Sequence, residues 1–246
     1  MLSKTHTKYI QSLQHKKFRE LHGAFIAEGP KLVPELLQSG KFICSEILAE
    51  AGWIAAQQQL LSRQPGVPVT EVKDFELQKI SALTHAHEVL AIFEKPTLHK
   101  EATIKGKISL VLDGIQDPGN FGTIIRTADW FGIELLVCSN DTADCYNPKV
   151  VQSTMGSLGR VAILYVDLPQ WLSQQDNMPV IATAMEGDSI TELKNIKEAL
   201  LIIGNEGKGI STEVMALSTQ KVSIQRKGKA ESLNAAVAAG IVLANV

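Results

Sequence analysis

Apolar and polar positions alternate between a helical and a strand-like period along most of this chain. Between residues 8 and 21, Ile10, Leu13, Phe18 and Leu21 fall near one face of a helix, among lysines and glutamines, which predicts an amphipathic helix docked on the neighbouring elements. A short run from Ala24 to Ala27 reads as a strand, and Glu28-Gly29-Pro30 turns the chain into a helix ending near Gly40. The alternation then repeats: strand at Phe42 to Leu48, helix at Ile54 to Leu61, strand at Val67 to Val72, helix at Phe75 to Leu83 and strand at Val89 to Phe93. Such alternation predicts an α/β arrangement with a mostly parallel sheet.

The segment KPTLHKEATIKGK combines proline and charge with little apolar periodicity, so it suits a linker. It separates an N-terminal domain, residues 1–97, from a C-terminal one, residues 107–246, with the linker at 98–106. The C-terminal part opens on Ile108 to Leu112, a continuous apolar run of the kind buried on both faces of a parallel sheet, followed by a glycine-bearing turn and a helix from about Phe121. Further strands are predicted at Leu135 to Cys138, Val161 to Tyr165, Val180 to Ala184, Ala199 to Ile203 and Lys221 to Ile224. An alanine-rich helix from Ser232 to Asn245 closes the chain, with side chains small enough for close packing or a subunit interface.

Composition agrees with a folded protein: 45% of the 246 residues are hydrophobic, 20% are charged and the formal net charge is −2. Global charge does not point to nucleic acid. Positive charge is local, with Lys4, Lys8, Lys16, Lys17 and Arg19 set against Glu20 in the opening residues; such a cluster suits either a solvated helix face or RNA contact. Cys44, Cys138 and Cys145 are too few and too irregular for a zinc cage or a disulfide framework, and no metal is expected. The polar opening MLSKTHTKYI lacks a secretory core and no apolar run approaches a membrane span, so a cytoplasmic protein is expected.

Three segments carry candidate chemistry. In Leu112 to Gly122 a buried strand meets a loop with three glycines before a helix whose free N–H groups favour an anion. Gly114 and Gly119 have P-loop spacing, but Asn120 and Phe121 stand where Lys and Ser or Thr should be, so an NTPase reading fails. Arg126 lies two turns into the helix, where a surface ion pair is the alternative to a functional role. In Leu201 to Ser211 an apolar strand ends in a turn with three glycines and Glu206 at its mouth; a tight turn alone would need fewer glycines. The spacing is not that of a dinucleotide fingerprint. In Val222 to Asn234 a strand leads through Arg226, Lys227 and Lys229 to the last helix, with Ser232 and Asn234 at its start, where capping is the simplest role for both.

Taken in this order, LDGIQDPGNFGTIIRTADWFG, IIGNEGKGIS and SLNAAVAAG resemble the three motifs of the SpoU/TrmH family within the SPOUT superfamily of RNA methyltransferases. The resemblance covers residues 107–246, and residues 8–40, with FIAEGPKLV, resemble the accessory substrate-binding domain of the family, which is similar to a ribosomal-protein-like RNA-binding fold. It implies a mostly parallel α/β domain with a deep trefoil knot, a rarity by general connection rules. It also implies a homodimer and methyl transfer from S-adenosylmethionine to a ribose 2′-hydroxyl of structured RNA, ribosomal RNA above transfer RNA.

By the same resemblance the methyl donor is held by Thr183, Ala184, Met185, Glu186, Gly187, Ile203, Gly204, Glu206, Gly207, Ile224, Ser232 and Leu233. Catalytic and RNA-contact roles fall to Asn120, Arg126, Glu206, Ser232 and Asn234. Lys16, Lys17, Arg19, Arg226, Lys227 and Lys229 are the expected phosphate contacts. The chain departs from the family pattern at Gln225 and Arg226, where a proline and an apolar residue are common, and at Ala235 and Ala236, where Val-Ser is common. A non-catalytic RNA-binding or assembly protein of the same fold, and a nucleotide-binding enzyme of doubly wound type, are the competing readings; affinity for the methyl donor discriminates the first, affinity for a nucleotide the second.

Overall fold

The computed structural model describes residues 2–96 and 104–246. Most of the expected linker, residues 98–103, lies outside the described residues. The chain divides into two compact units, Met1–Thr97 with Tyr146–Arg160, and Leu98–Cys145 with Val161–Val246.

In the first unit the order is α1 (Lys4–Ser12), α2 (Lys16–His22), β1 (Ala24–Glu28), α3 (Leu32–Gln38), β2 (Cys44–Ala49), α4 (Ala51–Ala56), α5 (Gln58–Leu61), β3 (Val69–Glu71), α6 (Asp74–Ile80) and β4 (Val89–Glu94). The sheet runs β1-β4-β2-β3. It is mixed rather than mostly parallel: β4 lies antiparallel to both β1 and β2, and β2 pairs in parallel with β3. Alternation of helices and strands fixed the layers but not the strand directions, which depend on where each helix returns the chain. Both β1 and the first five residues of β4 are wholly buried, so the sheet has two packed faces. With a side-chain period of two, Ala24, Ile26, Leu90 and Ile92 join Ile10, Leu13, Leu77 and Ile80 on one face. Phe25 and Phe93 stack on the other, 5.6 Å between ring centroids.

That second face recruits a segment expected in the C-terminal domain. Tyr146 places its ring 4.8 Å from Phe25, and Lys95 lies over Tyr146. Arg160 donates to Glu35 at 2.7 Å, and Lys41 donates to the Leu158 carbonyl at 2.9 Å. Aromatic burial, at about 2 to 3 kcal/mol per ring, explains why Tyr146–Arg160 packs here despite its place in the chain.

The single helix expected over residues 8–21 is two helices. The break at residues 13–15 is held by Arg19, which is 1% exposed and donates to the carbonyls of Leu13 and Gln14 at 3.0 and 2.9 Å. Those carbonyls, freed from the helical ladder, need a partner once buried. Arg19 therefore serves the backbone, contrary to its expected place among the phosphate contacts. The break also shifts the helical phase, which leaves Leu21 69% exposed rather than docked.

The second unit contains β5 (Ile108–Asp113), α7 (Pro118–Trp130), β6 (Leu135–Ser139), β7 (Ala162–Val166), α9 (Leu168–Leu172), β8 (Val180–Ser189), β9 (Ala199–Gly204), α10 (Thr212–Ala216), β10 (Gln220–Ser223) and α11 (Ala235–Leu243); α8 (Pro148–Thr154) belongs to the first unit. Its sheet is parallel throughout, in the order β10-β8-β9-β5-β6-β7. Val111, Val137, Leu200 and Ile202 form one buried layer with Leu164, Leu168 and Val214, and α11 packs against α7 and β9. Because β5 and β9 are parallel neighbours with Asp113 opposite Gly204, the turns after them emerge side by side at one edge.

Candidate functional site

Sequence distance is cancelled at that edge. Asp117 caps α7 by accepting from the Asn120 amide nitrogen at 2.8 Å, and Pro118 occupies the first turn, where no N–H is needed; the helix thus starts three residues before the expected Phe121. Asn234 caps α11 in the same way, accepting from Ala236 and Val237. The last helix therefore begins at Ala235 rather than Ser232, since Asn234 is the residue able to close its first turn.

The cap fixes the orientation of a relay. With Asn234 Oδ1 committed to α11, its amide nitrogen donates to Asn120 Oδ1 at 2.8 Å. Asn120 Nδ2 must then face outward, and it donates to Glu206 Oε1 at 2.5 Å. An amide nitrogen only donates, so donor and acceptor sense is determined along the whole chain Asn234 to Asn120 to Glu206. Among the described residues Glu206 Oε2 has no hydrogen-bond partner, which leaves one acceptor oxygen available to an incoming hydroxyl.

The turn carrying Glu206 is clamped at both ends. Asn205 donates to the Gly114 carbonyl at 2.7 Å and accepts from the Gly207 and Lys208 amides. Asn205 and Gly209 exchange two backbone hydrogen bonds at 3.0 and 2.9 Å. Ser211 donates from both N–H and hydroxyl to Asp113 Oδ2, at 2.7 and 2.8 Å. A Cβ on Gly204 would overlap the backbone of Gly209 and Ile210, so only glycine lets the turn fold back so tightly. On the far side, Ser139 accepts from the Gly114 amide at 2.9 Å and donates to Asp141. Asp113, Asn205, Ser211 and Ser139 went unselected in the sequence; Asn205 and Asp113 had a faint signal, as polar residues inside glycine turns, and Ser139 had none.

A different irregularity lies in β8. Strand β10 pairs Lys221 with Ala182 and the next residue, Val222, with Asp188. Strand β9 pairs only with Val180, Ile181 and Ala182. Residues 183–187 are thus left without register partners on either side, although Thr183 anchors its hydroxyl on the Ile202 carbonyl at 2.8 Å. Gly187 passes so close to the Lys221 carbonyl that a Cβ would sit 2.6 Å from it. A register interruption at the carboxyl edge of a parallel sheet, beside a glycine-lined turn, fits the approach of an elongated ligand that carries its own polar groups, while the Gly187 carbonyl accepts from the Ser223 hydroxyl at 3.2 Å. Met185 and Leu233 are 63% and 44% exposed there, apolar surface available to a flat ring.

Other expected residues are less engaged. Ile203 is buried within β9, Ile224 half-buried after β10, Glu186 exposed in the outer part of β8, and Gly207 and Ser232 exposed in loops. Arg126 is exposed on α7 and makes no hydrogen bond or ion pair among the described residues; six residues beyond Asn120, it lies about 120° around the helix. It is not joined to the relay. Arg226 donates weakly to the Ala230 carbonyl at 3.4 Å, and Lys227 and Lys229 are exposed beside it.

Comparison with known proteins gives this geometry a context. The profile of the SpoU rRNA Methylase family matches residues 107–244, and that of the MRM3-like substrate binding domain matches residues 4–91. The 23S rRNA (guanosine(2553)-2′-O)-methyltransferase RlmP of Bacillus subtilis is 32% identical over 95% of this chain and 92% of its own length. The structure of an RNA methyltransferase of the TrmH family from Porphyromonas gingivalis superposes with a TM-score of 0.89 at 37% identity, covering 100% of this chain and 98% of that one. An AdoMet-bound rRNA methyltransferase from Sinorhizobium meliloti superposes at 0.87 with 29% identity, covering 100% and 95%.

Proposed function

Since the chain belongs to the SpoU rRNA methylase family, we propose that it transfers a methyl group from S-adenosylmethionine to a ribose 2′-hydroxyl of ribosomal RNA. The observation that carries the reading is the relay from Asn234 through Asn120 to Glu206, which draws three distant loops into one site at the edge where β8 loses register over 183–187. The family profile and the AdoMet-bound relative support the donor; the 23S rRNA relative supports the acceptor.

The bound donor supplies a methyl already activated by its sulfonium. The backbone of Thr183, Ala184, Met185, Glu186 and Gly187 would hold its polar groups, with Ile203, Gly204, Glu206 and Gly207 on one side and Ile224, Ser232 and Leu233 on the other. Catalysis then needs alignment of the ribose oxygen and relief of the charge that grows on it as its proton leaves. Arg126, always protonated, cannot accept that proton; it stabilises the developing alkoxide or fixes a neighbouring phosphate. Asn120 and Glu206 hold the acceptor in line, with Glu206 Oε2 taking a hydrogen bond from the ribose hydroxyl and passing its proton on to solvent as the oxygen is methylated. A 2′-hydroxyl is what separates RNA from DNA, so this chemistry selects RNA.

In this reading residues 1–97 are the substrate-binding domain and residues 107–246 the catalytic one, a division supported by where the two family profiles match. Lys16, Lys17, Arg226, Lys227 and Lys229 contact phosphate. A trefoil knot closed by α11, a homodimer packed through that helix, whose Val237 is 50% exposed, and a cytoplasmic location complete it.

The test is mapping of ribose methylation in RNA from cells with and without the gene, repeated on purified ribosomal RNA with labelled donor. One ribosomal nucleotide should lose its methyl in the absence of the protein and regain it in vitro. A methyl lost instead from transfer RNA would move the substrate class; no change, together with no donor binding by calorimetry, would leave a non-catalytic RNA-binding protein.

A further inference from the structure

Outside the proposed active site, the first two helices carry a row of rings that the methyl-transfer chemistry does not use and of which Tyr9 alone packs against the core. Tyr9 and His22 meet edge to face with centroids 5.1 Å apart, His22 and Phe18 stack at 6.4 Å with 17° between planes, and Phe18 and His15 meet at 6.5 Å. His6 extends the row beyond Tyr9 at 6.1 Å. His15 and His22 are exposed and Phe18 is half-buried, while Tyr9, also half-buried, rests against the packed layer that contains Ile10 and Leu13 and so anchors one end of the row.

The break between α1 and α2 creates this arrangement. On one continuous helix residues 15, 18 and 22 would share a face and residue 9 would lie on the opposite one; the reversal held by Arg19 folds α2 back until His22 reaches Tyr9. Around the rings the charge is positive. Lys4, Lys8, Lys16 and Lys17 are exposed on the same two helices. Glu20 lies 3.9 Å from Lys16. At the far end the Glu46 carboxylate lies 3.0 Å from His6 Nε2.

We propose that the Tyr9, His22, Phe18 and His15 row is a stacking platform for unpaired nucleotides of the RNA substrate, with Lys8, Lys16 and Lys17 holding the adjoining phosphates. The inference rests on the reading that the substrate is RNA. Aromatic and imidazole faces stack on bases that have left a helix, whereas a fully paired duplex offers them only base edges and backbone. Cations without rings would bind paired and unpaired RNA alike through phosphate, so the ring row predicts a preference that charge alone does not.

The preference is measurable on the full-length protein with two probes: a hairpin RNA with an unpaired loop containing a fluorescent purine analogue, and the same sequence closed into a full duplex. Wild-type protein should bind the hairpin more tightly and quench the analogue. Combined His15→Ala and His22→Ala changes, both at exposed positions, should weaken hairpin binding by about tenfold, abolish the quench and leave duplex binding and the salt slope unchanged. Combined His15→Phe and His22→Phe changes should restore hairpin binding, because they keep the rings. Reversal of Lys16 and Lys17 to Glu should instead weaken both RNAs and flatten the salt dependence. Unchanged hairpin affinity in the alanine variant, or equal losses on hairpin and duplex, would overturn the platform while leaving RNA as the substrate. Wild-type protein that binds neither RNA would overturn the RNA reading itself.

Discussion

The side-chain amide of Asn234 donates to Asn120 Oδ1 at 2.8 Å, joining the start of the last helix to the start of the helix after the first strand of the same unit. Asn234 holds that position because its own oxygen is spent on the Ala236 and Val237 amides. One residue thus performs two separable tasks, ending a helix and orienting Asn120.

The tasks can be split by substitution. Asn234→Asp keeps an acceptor for the helix cap and removes the donor to Asn120, so the thermal midpoint should stay near that of the wild type while methylation falls about a hundredfold. Asn234→Ala should lose about 1 kcal/mol of stability as well. Thermal unfolding and single-turnover methyl transfer measured on both variants decide it; an Asp variant with full activity would show that the relay has no part in the reaction.

Arg126 stands apart from the relay and is exposed, so its removal should spare both the fold and the donor site. Arg126→Ala is expected to lower turnover by about two orders of magnitude with donor affinity by calorimetry nearly intact. Arg126→Lys should recover only part of this, since a point charge cannot reproduce a planar guanidinium. Wild-type turnover in the alanine variant would remove Arg126 from the mechanism.

At Gly204 the added methyl of alanine would run into the Gly209 and Ile210 backbone. The turn must open, at an expected cost of about 1 to 3 kcal/mol, and Glu206 should move away from Asn120 with it. Gly204→Ala should therefore bind the donor more weakly and unfold earlier, whereas Gly207→Ala, with only the Asn205 side chain 3.6 Å away, should fold normally. Equal midpoints for the Gly204 variant and wild type would contradict the close approach.

Glu28 gives a pH signature in the first unit. Burial pushes its carboxyl above the ordinary value of 4.5, against the opposing effects of hydrogen bonds from Ser81 and Ala82 and the nearby His87. A raised folded-state value means that the folded protein keeps a proton the unfolded chain has released. The stability from Glu28 is then fully present below 4.5 and declines as pH rises through the raised value. Glu28→Gln cannot titrate, so urea midpoints measured against pH should lose this downward slope; parallel curves for variant and wild type would rule the effect out.

How much of this was legible depends on the range of each interaction. Strand positions, the glycine turns at Gly114 and Gly204 and the parallel C-terminal sheet come from local pattern, because burial on both faces and tight turns each constrain nearby residue types. Glu206 stood out at the mouth of a turn with more glycines than a turn needs, while Asn120 and Asn234 were singled out by the family resemblance, capping being the simplest local role of Asn234. The antiparallel course of β4, the docking of Tyr146 beside Phe25, the burial of Arg19 and the break it holds between α1 and α2 left no comparable trace. Neither did the loss of register over 183–187: the strand expected to end at Ala184 runs on to Ser189 and resumes its pairing at Asp188.

Local sequence dictates which segments become strands, where the backbone must turn on glycine and which side chains have chemistry to offer. Packing settled which of them meet: Asn234 with Asn120 across the unit, His22 with Tyr9 across a helix break, Arg19 with carbonyls instead of solvent. Local preference is set by a few neighbouring dihedral angles and shows in composition, while contacts between distant residues are fixed by the packing of whole elements, which no short stretch of chain records.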